Sequence, residues 1–246
     1  MQPTYLPWIG HFDLIDQVDK FVFLDNVQLV KRSWDVRNRI KTAQGELYLT
    51  VPIKKTKHRD ELLQYDALVS DETPWREKHL KSIALAYKKA PFFEEVYTFL
   101  EKMISNQEKF LSKLNIKIIQ NIAKKLGIET SLLKASALPN LTGKKDMLLA
   151  SICKAIACDH YISQPGAAAY IESQSPGGSL VKNQIDLYYH NYHHPDYSQL
   201  YGTFLSNMSI VDLLFNQGFQ KSLDIIQSGR KEPIDYCSFR YQLKIN

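Results

Sequence analysis

The chain has 246 residues, 44% hydrophobic and 23% charged, which excludes a disordered or fibrous polypeptide and allows one large domain with a core and a cleft. No run approaches the ~18 consecutive apolar residues of a membrane helix, and MQPTYLPWIGHFD lacks the basic n-region of a secretory signal. The net charge of +5 is concentrated: between Gln28 and Arg59 lie Lys31, Arg32, Arg37, Arg39, Lys41, Lys54, Lys55, Lys57 and Arg59 against Asp35 and Glu46, a cluster that attracts anions.

In chain order, Pro3 and Pro7 hold the opening extended, and Gly10 to Val18 has helical spacing. Phe21 to Asn26 (FVFLDN) reads as a buried strand ending in a carboxylate. The basic segment follows as a loop, and Gly45 to Ile53 is a second strand. Helices are expected over Trp75 to Ala90, Phe92 to Met103 and Asn106 to Leu126, the last stopped by Gly127. Ser131 to Ser136 is a candidate strand, followed by a helix to about Ala157. His160 to Gln164 and Ile185 to Tyr192 are further strands. Met208 to Asn216, ending at Gly218, and Phe219 to Gln227 are helices, and the tail SFRYQLKI reads as a strand or an edge-packing segment.

Strands alternating with helices at both ends predict an α/β fold, with a mainly parallel Rossmann-like sheet and helices on both faces. The helical middle, at about 72–128, would be a subdomain of a single domain spanning residues 1–246. Cys153, Cys158 and Cys237 form no CxxC pair, and an odd, low count suits a reducing, cytoplasmic setting.

The candidate site lies largely in the first forty residues. Prolines present Gln2, Tyr5 and Trp8 at little entropic cost. Gly10 and His11 precede or open a helix, where bare N–H groups receive anions. The structural alternative is a proline-shaped turn with Trp8 as a core plug. Asp25, with Gln28 close behind, sits at a strand's carboxyl end, where α/β proteins place ligand groups; it either serves chemistry or caps the next turn. Arg37 and Arg39 point to one side of an extended segment, and Asn38 and Ile40 to the other. With Lys31, Lys41 and Trp34, they form an aromatic-flanked pair suited to bidentate phosphate recognition.

His190, His193 and His194 lack the pattern of a zinc site, so no metal is expected. His194, beside Pro195, is the best placed as a base or orienting group. Thr142-Gly143-Lys144-Lys145-Asp146 looks like an anion-binding helix start without P-loop spacing. No Ser/His/Asp motif and no Rossmann glycine fingerprint is present. The basic residues are too localised for a nucleic-acid footprint.

QPTYLPWIGHFDLI, DKFVFLDNVQLVKRSWDVRNRIK, YLTVPI, WREKHLKSIALAYKKAPFFEEVY, HYISQPGAAAYI and HHPDYSQ followed by FLSNMSIVDLLFNQG closely resemble the WbqC-like family of bacterial proteins. The resemblance implies a role in surface-polysaccharide or O-antigen (lipopolysaccharide) biosynthesis, tailoring an amino sugar by adding an aminoacyl or acyl group. Two departures stand out. The family's short apolar strand before the QPxYLPW block is missing, which suggests a mis-assigned or shortened start. Gln164 also replaces the glycine of an SGP turn. A second likeness links Trp8-Ile9-Gly10-His11 to the HxGH turn of the nucleotidylyltransferase and pantothenate-synthetase group, with Trp8 in place of the first histidine. It implies an ATP-dependent alternative.

The leading expectation is a transferase that forms an amide on the amino group of a nucleotide-linked amino sugar. Arg37, Arg39 and Lys41 would hold the diphosphate, Trp8 or Trp34 would stack, and Asp25 or His194 would accept the amine proton. The partners are a small-molecule nucleotide-sugar and an acyl or aminoacyl donor, free or on a carrier protein, with ATP as the cofactor of the alternative. No membrane or nucleic acid is expected, and an oligomer is compatible. The rivals are adenylation at the Gly10-His11 turn and a non-catalytic nucleotide-sugar-binding protein.

Overall fold

The computed structural model describes residues 1–30, 32–56 and 61–243. The chain divides into two compact units. The first comprises Met1–Ser136 and His194–Gly229, and the second Ala137–His193 and Arg230–Asn246.

The first unit opens with an extended segment and α1 (Ile9–Asp16), which buries Ile9, Phe12 and Ile15. Strand β1 (Lys20–Phe23) follows and pairs in parallel with β4 (Ser131–Lys134). Strands β2 (Arg37–Thr42) and β3 (Gly45–Thr50) form an antiparallel hairpin. The expected basic loop is therefore partly strand, and its alternation is real: Asn38 and Ile40 are buried, while Arg37 and Arg39 are half-buried.

The helical middle consists of α2 (Trp75–Tyr87), α3 (Phe93–Ile104) and α4 (Leu111–Leu126), all within the first unit. Helix α4 buries Leu111, Leu114, Ile118, Ile122 and Leu126 on one stripe, the spacing of a core-facing helix. It ends at Gly127 with φ 80°, as a left-handed C-terminal glycine requires. It begins later than the expected Asn106, because Glu108 accepts from the Lys109 and Phe110 amides and Phe110 bridges to Leu68.

The second unit holds α5 (Asp146–Ala155), β5 (His160–Ser163), α6 (Ala168–Ile171), α7 (Gly178–Lys182) and β6 (Asp186–Tyr189). Its remaining elements are β7 (Ile234–Asp235) and a last helix after it. Strand β6 lies between β5, parallel to it, and β7, antiparallel.

Back in the first unit, α8 (Ile210–Ser228) packs against α1, α3 and α4. It contains two helical segments joined at Gly218, whose φ of 72° breaks the helix where the sequence predicts. The tail of the second unit departs from the strand reading: α9 spans Tyr236–Leu243. Asp235 accepts from the Ser238 amide at 3.0 Å, an N-cap interaction that starts a helix.

The fold is thus mixed α/β, but the described strands form three small sheets of two, two and three strands. They do not build a mainly parallel Rossmann-like sheet. Among the described strands, parallel pairing is confined to β1–β4 and β5–β6, which lie in different sheets. Among the described residues, no helix is long and apolar enough to cross a membrane.

Candidate functional site

The proline-stiffened opening and the basic segment meet in the first unit. The Tyr5 amide donates to Trp34 O at 3.0 Å. Asn38 Nδ2 donates to the carbonyls of Tyr5 and Leu6, at 3.2 and 2.8 Å. Asn115 Nδ2 ties Pro3 O to Asp35 O. At the start of α8, Ser209 Oγ donates to Leu6 O, the Ile210 amide to Pro7 O, and the Ser209 amide to Arg39 O. Leu6 carries a φ of 44° directly before Pro7, an unfavourable conformation for a branched residue in that position. Such strain persists only where the surroundings over-determine it, as these bonds do.

Within this frame the opening side chains divide. Tyr5 is fully buried, its hydroxyl against His79 Nδ1 at 3.0 Å. His11 is likewise buried, between the rings of Phe12 and Phe21. A Cβ on Gly10 would lie 2.3 Å from the Trp8 indole. The glycine expected to admit an anion therefore makes room for a tryptophan. Gln2 is half-buried. Trp8 stacks on His194, with ring centroids 6.2 Å apart and planes 15° from parallel.

His194 Nδ1 lies 2.9 Å from Pro195 O. A carbonyl only accepts, so Nδ1 carries the proton and Nε2 the lone pair. Nε2 is buried with no partner among the described residues. Burial pushes the imidazole pKa below its usual value, which keeps the ring neutral near pH 7. The Tyr197 and Phe204 rings complete its surroundings.

Behind it lies a buried polar network of which the sequence reading singles out only Lys41. Asp212 accepts from the hydroxyls of Tyr87 and Tyr197, each at 2.9 Å. Burial raises its pKa, against the pull of those bonds. Lys41 Nζ donates to Gln199 Oε1 and Thr203 O at 3.0 and 2.7 Å. Desolvation lowers the Lys41 pKa, and the Asp212 charge opposes that shift. One sequence signal was available: Ser209 and Asp212 form an S-x-x-D start to an apolar run, with Ser209 Oγ accepting from Val211 N. A carboxylate inside that apolar turn marks a buried polar cluster.

The expected cationic clamp is altered. Lys41 is buried under residues 199–203 and engaged there. Arg39 is held by both Glu46 carboxylate oxygens at 2.9 Å. Arg37 lies over the Tyr48 ring at 5.0 Å, with its Nε buried and unpartnered among the described residues. Trp34 and Tyr48 stack at 6.4 Å and remain 48% and 45% exposed. Lys31 lies outside the described residues. Gln28 is exposed, its backbone bridged to Leu63. Both Asp25 oxygens are taken by Ser136, from the amide at 2.8 Å and the hydroxyl at 2.6 Å. That is a capping arrangement, made across 111 residues of sequence.

In the second unit, the Asp146 carboxylate accepts from the Ser179 amide at 2.7 Å and so caps the start of α7. His190 and His193 belong to this unit and His194 to the other. Among the described residues, no three His, Cys, Asp or Glu side chains cluster to hold a metal ion.

Fold and site together define a mixed α/β protein whose rigid opening segment is laid against an aromatic, basic hairpin and a neutral histidine. The chain belongs to the WbqC-like protein family, which it matches over residues 2–223. It is 36% identical over 220 residues to the uncharacterized protein Rv1507c of Mycobacterium tuberculosis (strain ATCC 25618 / H37Rv), covering 89% of this chain and 92% of that protein. No solved structure matches the chain.

Proposed function

We propose that the protein is a transferase that forms an amide on the amino group of a nucleotide-linked amino sugar in bacterial surface-polysaccharide biosynthesis. The observation that carries this reading is His194: a neutral imidazole stacked on Trp8, with a buried Nε2 that has no partner among the described residues. The Trp8 backbone bridges to Ser209, whose amide in turn donates to Arg39 O of the basic hairpin. A base and an anion-attracting surface are thereby joined through one residue.

In the reaction, the free amine attacks the carbonyl carbon of an acyl or aminoacyl donor. The C–N bond forms, the bond to the donor's leaving group breaks, and His194 Nε2 takes the nitrogen proton once its aromatic cover moves aside to admit the amine. Asp25, with both oxygens engaged by Ser136, is less suited to that task. The adenylation alternative draws no support from the Gly10-His11 turn, since the indole covers Gly10 and His11 is wholly buried.

The test is incubation of the purified protein with nucleotide-linked amino sugars and acyl or aminoacyl donors, with and without ATP, followed by mass spectrometry. The expected result is a mass gain on the sugar amine that falls by about a hundredfold or more in His194→Ala. Absence of product from every pairing overturns the proposal.

A further inference from the structure

We propose that Arg37, Tyr48 and Trp34 form the recognition point for a nucleoside diphosphate, with a phosphate on the Arg37 guanidinium and the base on the open Trp34–Tyr48 stack. The assignment deepens the reading above and rests on it for the choice of a nucleotide over other anionic aromatic molecules.

The hairpin register creates this surface. Arg37 pairs with Thr50 and Arg39 with Tyr48, so Arg37, Arg39 and Tyr48 share one face of the ribbon while Asn38 and Leu49 fill the other. The two arginines then part company. Arg39 lies over Trp34 at 5.9 Å and has both carboxylate oxygens of Glu46. Its charge is matched by that carboxylate, which takes both bonds from Nη1. Arg37 has no carboxylate and no hydrogen-bond acceptor among the described residues, and its Nε is already desolvated. Leaving a guanidinium N–H buried and unmade is unfavourable, and a phosphate offers the bidentate acceptor that a planar guanidinium fits.

Beside it are two large aromatic rings, nearly parallel at 18° and both about half exposed. Single exposed aromatics are ordinary, but a stacked, open pair is a platform on which a base adds a third layer. Tyr48 touches both Arg37 and Trp34, so the cation and the open indole stand on neighbouring rings. Phosphate and base occupy the two ends of a nucleotide in the same way. Lys41, buried under residues 199–203, is not available for this role.

Tryptophan fluorescence and calorimetry on the full chain test the proposal. The probes are UDP, ADP, GDP, CDP and dTDP, inorganic pyrophosphate, uridine and adenosine, and a short single-stranded oligonucleotide. At least one nucleoside diphosphate is expected to bind about tenfold or more tightly than pyrophosphate and than the free nucleosides. Arg37→Ala and Trp34→Ala should each weaken it about tenfold or more, Trp34→Phe by less, and Arg37→Lys should restore little. The Arg37 side chain makes no hydrogen bond among the described residues and Trp34 is half exposed, so thermal melts should show folded variants. Three outcomes overturn the assignment: no binding of any nucleoside diphosphate at millimolar concentration, unchanged binding in Arg37→Ala, or tighter binding of the oligonucleotide than of every mononucleotide. Nucleotide binding without amide formation would sink the transferase reading and leave this site standing. Turnover insensitive to Arg37 would do the reverse.

Discussion

Asn38 holds Leu6: its side-chain amide donates to the Leu6 carbonyl at 2.8 Å, in a segment where Leu6 carries a positive φ of 44°. The same amide reaches Tyr5 O, and Asn38 Oδ1 accepts from the Arg39 amide. One buried side chain on β2 thus fixes the course of the opening segment and the position of Trp8 after it.

Replacing Asn38 by Ala leaves buried acceptors without their donor. The expected loss is about 2–3 kcal/mol, read from the urea midpoint. Asn38→Asp keeps the shape but removes the donor, and should lose a comparable amount. An unchanged midpoint in both variants would show that the opening is held by other means.

Gly10→Ala places a Cβ 2.3 Å from the Trp8 ring, so the indole must move away from Gly10 and disturb its stack on His194. Destabilisation of about 1–3 kcal/mol is expected from such overpacking, with a shifted tryptophan emission. In a Trp8→Ala background the same change should cost little, giving a coupling energy above about 1 kcal/mol in a double-mutant cycle. Additive effects would contradict the contact.

Burial lowers the His79 pKa from 6.5 to about 4. The unfolded chain therefore takes up a proton before the native state does. The contribution of His79 to stability is present above about pH 6.5 and is lost as pH falls toward 4, an effect of about 3 kcal/mol. Asp35 and Asp212, raised by burial, act in the opposite sense as pH falls. The comparison with His79→Gln isolates the histidine: wild type should lose about 3 kcal/mol more than the variant between pH 7 and pH 4. Parallel pH profiles would refute the assignment.

Asp25→Asn and Ser136→Ala should each destabilise the first unit by about 1–2 kcal/mol, and the double variant by little more than either alone, because they remove one interaction. Asp25→Asn should reduce any amide-forming rate no more than its stability loss accounts for. A rate loss of about a hundredfold in a fully folded variant would instead place Asp25 in the chemistry.

Much of the local architecture is legible in the residues. The apolar spacing of α4 and the glycine after it mark a helix and its end. Gly218 marks a break inside α8, and the alternation of Arg37 and Arg39 with Asn38 and Ile40 marks a ribbon with one buried face. Each of these depends on neighbours within a few positions, where backbone geometry imposes its period. Long-range partners were not legible. Asp25 meets Ser136, Tyr87 meets Asp212, Lys41 meets Gln199, and Trp8 meets His194. Nothing at position 41 states that a lysine is roofed by residues 199–203, and nothing at position 46 that a glutamate neutralises Arg39 but not Arg37. The sequence determined most of the helices and strands, though not β2 or the last helix, and where cations and aromatics concentrate. The tertiary structure alone decided which of those groups stay open to a ligand, because a polar side chain's fate depends on whether a distant part of the chain supplies its counter-charge or its hydrogen bond.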